Sequence, residues 1–180
     1  KDSKLNTPLF QKLEVGGSEV TLETLFYHDD LFKAYPELRN VRVSKVAADE
    51  PYRGAYGPTG FMLRESLDPK QARLTLLHEI QHWIQRYEGF FTGTNLDRAG
   101  SLVQDGTLTE EDVFSMAQAA AIARDFRYAL YRRWPGELEA RMVAARADLT
   151  DEERRQIPVA PFYPVNAAVI KLRNLAANGG

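Results

Sequence analysis

A chain of 180 residues, 44% hydrophobic and 11% aromatic, suits a single globular domain over 1–180 that buries about two thirds of its unfolded surface. It contains no cysteine, which rules out a disulfide framework and a cysteine-rich zinc finger, so any zinc site must use His, Asp or Glu. A formal charge of −2 and a pI near 6.0 give no general attraction to nucleic acid or to an anionic membrane surface. No run is long and apolar enough for a membrane span, and the polar start KDSKLNTP lacks the apolar centre of a secretory signal. The expectation is a soluble, cytoplasmic protein, and Lys1 in place of Met suggests a domain cut from a larger polypeptide.

In chain order, residues 1–18 read as a loosely tied arm ending in the breaker Gly16-Gly17-Ser18. VTLETLF and DDLFKAYPEL follow as short helices with aromatic anchors, the second capped by Asp29 or Asp30 and stopped near Pro36. VRVSKV (41–46) alternates as a strand does, and GAY, GPTG and GFMLRES (54–66) read as strand, turn, strand. The strongest helix signals come next. Asp68 stands as N-cap, Pro69 at the first helical position and Gln71 as capping-box partner, and the helix runs to about Glu88. Gly89 is placed to end it in the left-handed conformation. Leu77, Ile80, Ile84 and Tyr87 form its apolar stripe. Beyond a Gly-containing loop, Thr109 opens a long helix interrupted at Pro135-Gly136. ELEARMVAARAD makes another helix, Thr150 with Glu153 offers a capping box, and 156–180 reads as a C-terminal tail. The sum is an α+β arrangement, a small sheet followed by several helices.

Two of the chain's three histidines, His78 and His82, lie four residues apart in this helix with Glu79 between them. Residues at that spacing have Cβ atoms about 5 to 6 Å apart, close enough for two imidazoles to reach one ion. Zinc takes nitrogen ligands at about 2.0 to 2.1 Å, and a catalytic site keeps one position for water. Glu79, one residue beyond His78, points beside the ion, where a carboxylate serves as general base toward a water whose pKa the ion lowers from 15.7 to about 7. Such a trio hydrolyses a carbonyl substrate, usually a peptide bond. Bulky apolar residues at Leu76, Leu77 and Trp83 argue against a merely solvated face.

A third ligand has to come from elsewhere. His28 is the weaker candidate. Glu137 and Glu139 are two residues apart, about 200° around a helix, so only one can face the site. Glu139 shares its face with the apolar pair Met142 and Val143, whereas Glu137 shares its face with Ala140, Arg141 and Ala144. Glu139 is therefore expected to face inward, with Glu137 as the alternative. Tyr131 and Tyr163 are candidate donors to an oxyanion. The arginines at 124, 127, 132, 133, 141, 146, 154 and 155 are interleaved with acids and read as a solvated, ion-paired face, not a nucleic-acid surface.

LHEIQHWIQRYEGF, the loop with GTN, PGELEARMVAAR and the upstream LFKAYPELRNVRV together resemble the zincin-like metallopeptidase domains of large polyvalent proteins in phages and other mobile elements. The resemblance covers roughly residues 20 to 155. It implies a minimal zincin fold, a small twisted sheet whose edge strand holds an extended substrate beside an active-site helix. GFMLRES is the candidate edge strand. It further implies Zn²⁺ held by His78, His82 and Glu139 in the gluzincin manner, Glu79 as base, a protein or peptide substrate, and delivery with a phage or element particle as a second location. Trp83 stands where a small residue is expected, and the loop reads TGTN instead of a double glycine. Both departures bear on pocket shape and touch no ligand. The rival expectation, from a different class, is a non-catalytic binding or structural module whose metal only ties two helices together.

Overall fold

The structure is a computed structural model, and it describes residues 3–89 and 134–157. The fold is α+β. By its contacts the chain divides into two compact units, Lys1–Trp83 with Val143–Gln156, and Ile84–Met142 with Ile157–Gly180.

In the first unit, β1 (Lys4–Leu5) pairs antiparallel with β3 (Phe26–Tyr27). Between them lie α1 (Thr7–Lys12), β2 (Val20–Thr21) and the single turn α2 (Leu22–Leu25). The expected loose arm is instead packed. Asn6 caps α1 by accepting from the Leu9 amide at 3.2 Å, and Phe10 and Leu13 are buried. Lys45 Nζ sits 4.4 Å from the Phe10 ring centroid, and Arg73 donates to Ser3 Oγ at 2.8 Å. Two large apolar side chains removed from water are worth about 1.5 to 3 kcal/mol each, enough to hold a short segment that polarity alone would leave free.

Helix α3 (Asp29–Ala34) is capped neither by Asp29 nor by Asp30. The His28 Nδ1 accepts from the Leu31 amide at 3.3 Å, and the two aspartates occupy the first turn, where their charge still suits the helix dipole. α3 stops at Ala34, near Pro36 as expected, and a 3-10 turn, Pro36–Asn40, follows. The main sheet comprises β2, β4 (Arg42–Val46), β5 (Gly54–Gly57) and β6 (Gly60–Arg64) in the order β2-β4-β6-β5. β4 and β6 run parallel, and the other pairs are antiparallel. A tight Pro58-Thr59 turn joins β5 to β6, and Gly60 has φ +117° with its missing Cβ directed at the Arg42 carbonyl oxygen, so that position requires glycine.

Helix α4 (Pro69–Tyr87) begins as the sequence indicates. The Gln71 amide donates to Asp68 Oδ1 at 2.8 Å, and the Asp68 amide donates back to Gln71 Oε1 at 3.3 Å. Gly89 follows its end with φ +70°. The buried stripe is Ala72, Leu76, Leu77, Ile80 and Trp83, joined by Leu22, Leu25, Phe26, Leu38, Val43, Phe61 and Leu63 in the core. Tyr87, expected in the stripe, is 55% exposed, because the helix leaves the core before its last turn. Helix α6 (Asp151–Gln156) carries the expected capping box: Glu153 Oε2 accepts from the Thr150 amide at 2.7 Å and from Thr150 Oγ1 at 2.9 Å.

In the second unit, α4 continues from Ile84, and helix α5 (Pro135–Ala145) starts with proline at its first position, as that residue's fixed φ favours. Trp134, Leu138 and Ala140 are buried there. Among the described residues no helix is long and apolar enough to cross a membrane.

Candidate metal centre

The capping box that starts α4 sets its register, and the register sets the histidines. Their Nε2 atoms come to 3.1 Å of one another, with ring centroids 4.7 Å apart and planes at 88°. Two bonds of about 2.0 to 2.1 Å from one ion to atoms at that separation subtend about 100°, near the tetrahedral angle. Two half-buried imidazoles converging by their Nε2 atoms thus fit a divalent ion, and a helical repeat of four residues is what brings them together.

Glu79, between the histidines in sequence, is only 6% exposed. It lies beside Gly54 of β5. A Cβ added to Gly54 would fall 3.3 Å from Glu79 Cγ and 3.2 Å from the Met62 carbonyl oxygen, and inside contact distance of Thr75 Cγ2. Glycine at 54 is what lets strand and helix approach to this distance.

Among the described residues β5 pairs on one side only. The expected edge strand GFMLRES is corrected by this order: β6, Gly60–Arg64, lies inside the sheet between β4 and β5, and its alternating burial of Phe61 and Leu63 is that of a central strand. The ladder parity follows from the Arg64 amide, which donates to the Arg53 carbonyl at 2.9 Å. With Arg53 and Arg64 a hydrogen-bonded pair, Ala55 bonds to Met62, and the backbone groups of Gly54 and Tyr56 turn away from β6. Gly54 is the residue beside Glu79, so the outward-facing backbone lies next to the candidate base.

Trp83, the departure noted in the sequence, is 8% exposed and meets the Tyr35 ring edge-on at 5.9 Å. It also lines a cleft of about 430 Å³ with Arg42, Tyr56, Gly57 and Gly60, across which Arg42 pairs with Glu19 at 2.7 Å. Its bulk shapes that cleft and leaves His78 and His82 in register.

In the second unit the two glutamates of α5 are placed differently from expectation. Glu137 is 2% exposed, with Arg141 Nη2 at 3.6 Å from Oε2, while Glu139 is only half-buried. The buried side of α5 runs through Trp134, Glu137, Leu138 and Ala140, and Met142 and Val143 are half-buried. Met142 and Val143 point to Glu139 as the inward residue, but burial is concentrated in the first turns of the helix and takes in Glu137. Glu139 instead accepts from Gln85 Nε2 at 2.7 Å, and the same nitrogen donates to the Gly136 carbonyl at 3.0 Å.

His28 is engaged as the cap of α3. Tyr131, Tyr163, the GTN loop, the long helix expected over 109–134, the arginines at 124, 127, 132 and 133 and nearly all of the expected tail over 156–180 lie outside the described residues. Sequence reasoning missed Gly54 and Gln85. A signal for Gln85 was present, since it continues the spacing of His78 and His82 by one more turn; Gly54 had none, because its partners are distant in sequence.

No family model, curated protein or solved structure matches the chain.

Proposed function

We propose that the protein is a zinc-dependent metallopeptidase acting on an extended protein or peptide segment. The observation that carries the reading is the 3.1 Å approach of His78 and His82 Nε2 on one helix, with a nearly buried glutamate between them in sequence that lies beside Gly54 of β5, a strand paired on one side only among the described residues. The third ligand in this proposal is Glu137, the carboxylate of α5 that is 2% exposed, in place of Glu139.

When bound, the ion supplies a Lewis acid that polarises the scissile carbonyl and makes a water more acidic. The chain's own residues do the rest. The outward backbone groups of Gly54 and Tyr56 pair with the substrate as an added strand and hold it extended. Glu79 takes a proton from the attacking water as the new C–O bond forms, and delivers it to the amine nitrogen as the C–N bond breaks. A carboxylate shielded by β5 keeps competing water away from that transfer.

The second reading, a metal that only fastens helices, draws on the burial of Glu137 and Gln85. One experiment separates them, using zinc content and cleavage of a quenched-fluorescent peptide library. The peptidase reading expects about one zinc per chain, its loss in His78→Ala, and in Glu79→Gln retained zinc with cleavage reduced about 10²- to 10⁴-fold. Zinc without cleavage in the unaltered chain supports the fastening role, and undiminished cleavage in Glu79→Gln refutes the mechanism.

A further inference from the structure

We infer that Gln85 is a positioning residue that sets the place of the third ligand; the inference rests on the metal reading above. Gln85 is 0% exposed, and a fully buried amide is unfavourable unless its hydrogen bonds are made. An amide nitrogen has two hydrogens. Both are accounted for here, by the Gly136 carbonyl at 3.0 Å and Glu139 Oε2 at 2.7 Å. Because both partners are acceptors, the orientation of the amide is fixed by chemistry, with Nε2 toward α5.

The two acceptors bracket Glu137, one residue before it and two after. One side chain of α4 therefore holds the backbone of α5 on one side of Glu137 and a side chain on the other. Gln85 also stands three residues after His82 and seven after His78, on the face of α4 that carries the imidazoles. Leucine or methionine would fill the same space, so packing alone gives no reason for an amide. Holding the stretch of α5 that carries the Glu137 carboxylate does, since ligands held by hydrogen-bonded neighbours bind metal about 10- to 100-fold more tightly than the same ligands without them.

The test is zinc affinity of the full chain by competition with a chromophoric chelator, with circular dichroism recorded on each protein. Gln85→Met keeps length and apolarity and removes both donors; it is expected to bind zinc about 10- to 100-fold more weakly with its helical signal intact. Glu139→Gln keeps the acceptor and is expected to bind within about threefold of the unaltered chain. Glu139→Leu removes the same contact from the other helix, and it is expected to weaken binding where Glu139→Gln does not; this arm decides the matter if Gln85→Met fails to fold. Unchanged affinity in Gln85→Met or in Glu139→Leu overturns the inference while leaving the metal reading standing. Loss of zinc in Glu139→Gln also overturns it, by making Glu139 the ligand. An unaltered chain that binds no zinc removes the inference together with the reading on which it rests.

Discussion

Gly54→Ala is the substitution whose effect the structure specifies most closely. Positive φ is confined to Gly16, Gly60 and Gly89 among the described glycines, so the backbone at 54 accepts alanine and only space opposes it. The added methyl would meet Thr75 Cγ2 inside contact distance, the Met62 carbonyl oxygen at 3.2 Å and Glu79 Cγ at 3.3 Å, where unstrained carbon contacts sit at about 3.5 to 4.0 Å. Overpacking of this kind costs about 1 to 3 kcal/mol. The reduced freedom of the unfolded chain returns about 0.4 to 1 kcal/mol. A net loss of about 1 to 2 kcal/mol lowers the melting temperature of a chain this long by about 2 to 8 °C. The assay is thermal unfolding followed by circular dichroism, with Gly54→Ala, Thr75→Ser and the double variant. Serine lacks the methyl that conflicts, so the double variant should recover most of the loss. A melting temperature for Gly54→Ala within about 1 °C of the unaltered chain, or no recovery in the double variant, would refute the close approach of β5 to α4.

Two further outcomes follow from the caps. His28→Ala removes the acceptor for the Leu31 amide and should cost about 1 kcal/mol of stability, while leaving zinc content unchanged; loss of zinc would make His28 a ligand. Glu153 is held below its ordinary 4.5 chiefly by the hydrogen bond from the Thr150 amide, then by the Thr150 hydroxyl, against a smaller opposing effect of desolvation. A carboxyl lowered on folding stabilises fully above its unfolded value, and that contribution disappears as pH falls through the folded value. Carboxyl-resolved NMR titration should therefore place the Glu153 midpoint below that of an ordinary glutamate, and a midpoint at or above 4.5 contradicts the box.

What the sequence displayed best were features decided within one turn. Asp68 with Gln71, Thr150 with Glu153, and Gly89 each depend on partners no more than four residues away. So does the His78 and His82 pair. Features decided by distant segments were hidden. The packing of Phe10 depends on Lys45, the interior position of β6 depends on β4 lying beside it, and the tolerance of a short helix for a histidine cap at 28 cannot be told from a ligand's spacing. The burial of Glu137 in place of Glu139 was hidden for the same reason: the two residues differ by their neighbours in space, Gln85 among them, more than by their neighbours along α5.

β5 is four residues long, has glycine at each end and is followed by Pro58. An unpaired strand edge is a template on which copies of a protein can stack into fibres, and nature blunts such edges by shortness and proline, among other devices. Two copies meeting along Gly54–Gly57 would gain too few backbone pairings to hold together. Among the described residues nothing pairs with that edge, and a strand so brief would keep only a visitor anchored at a second point, which is what the proposed substrate would have to be.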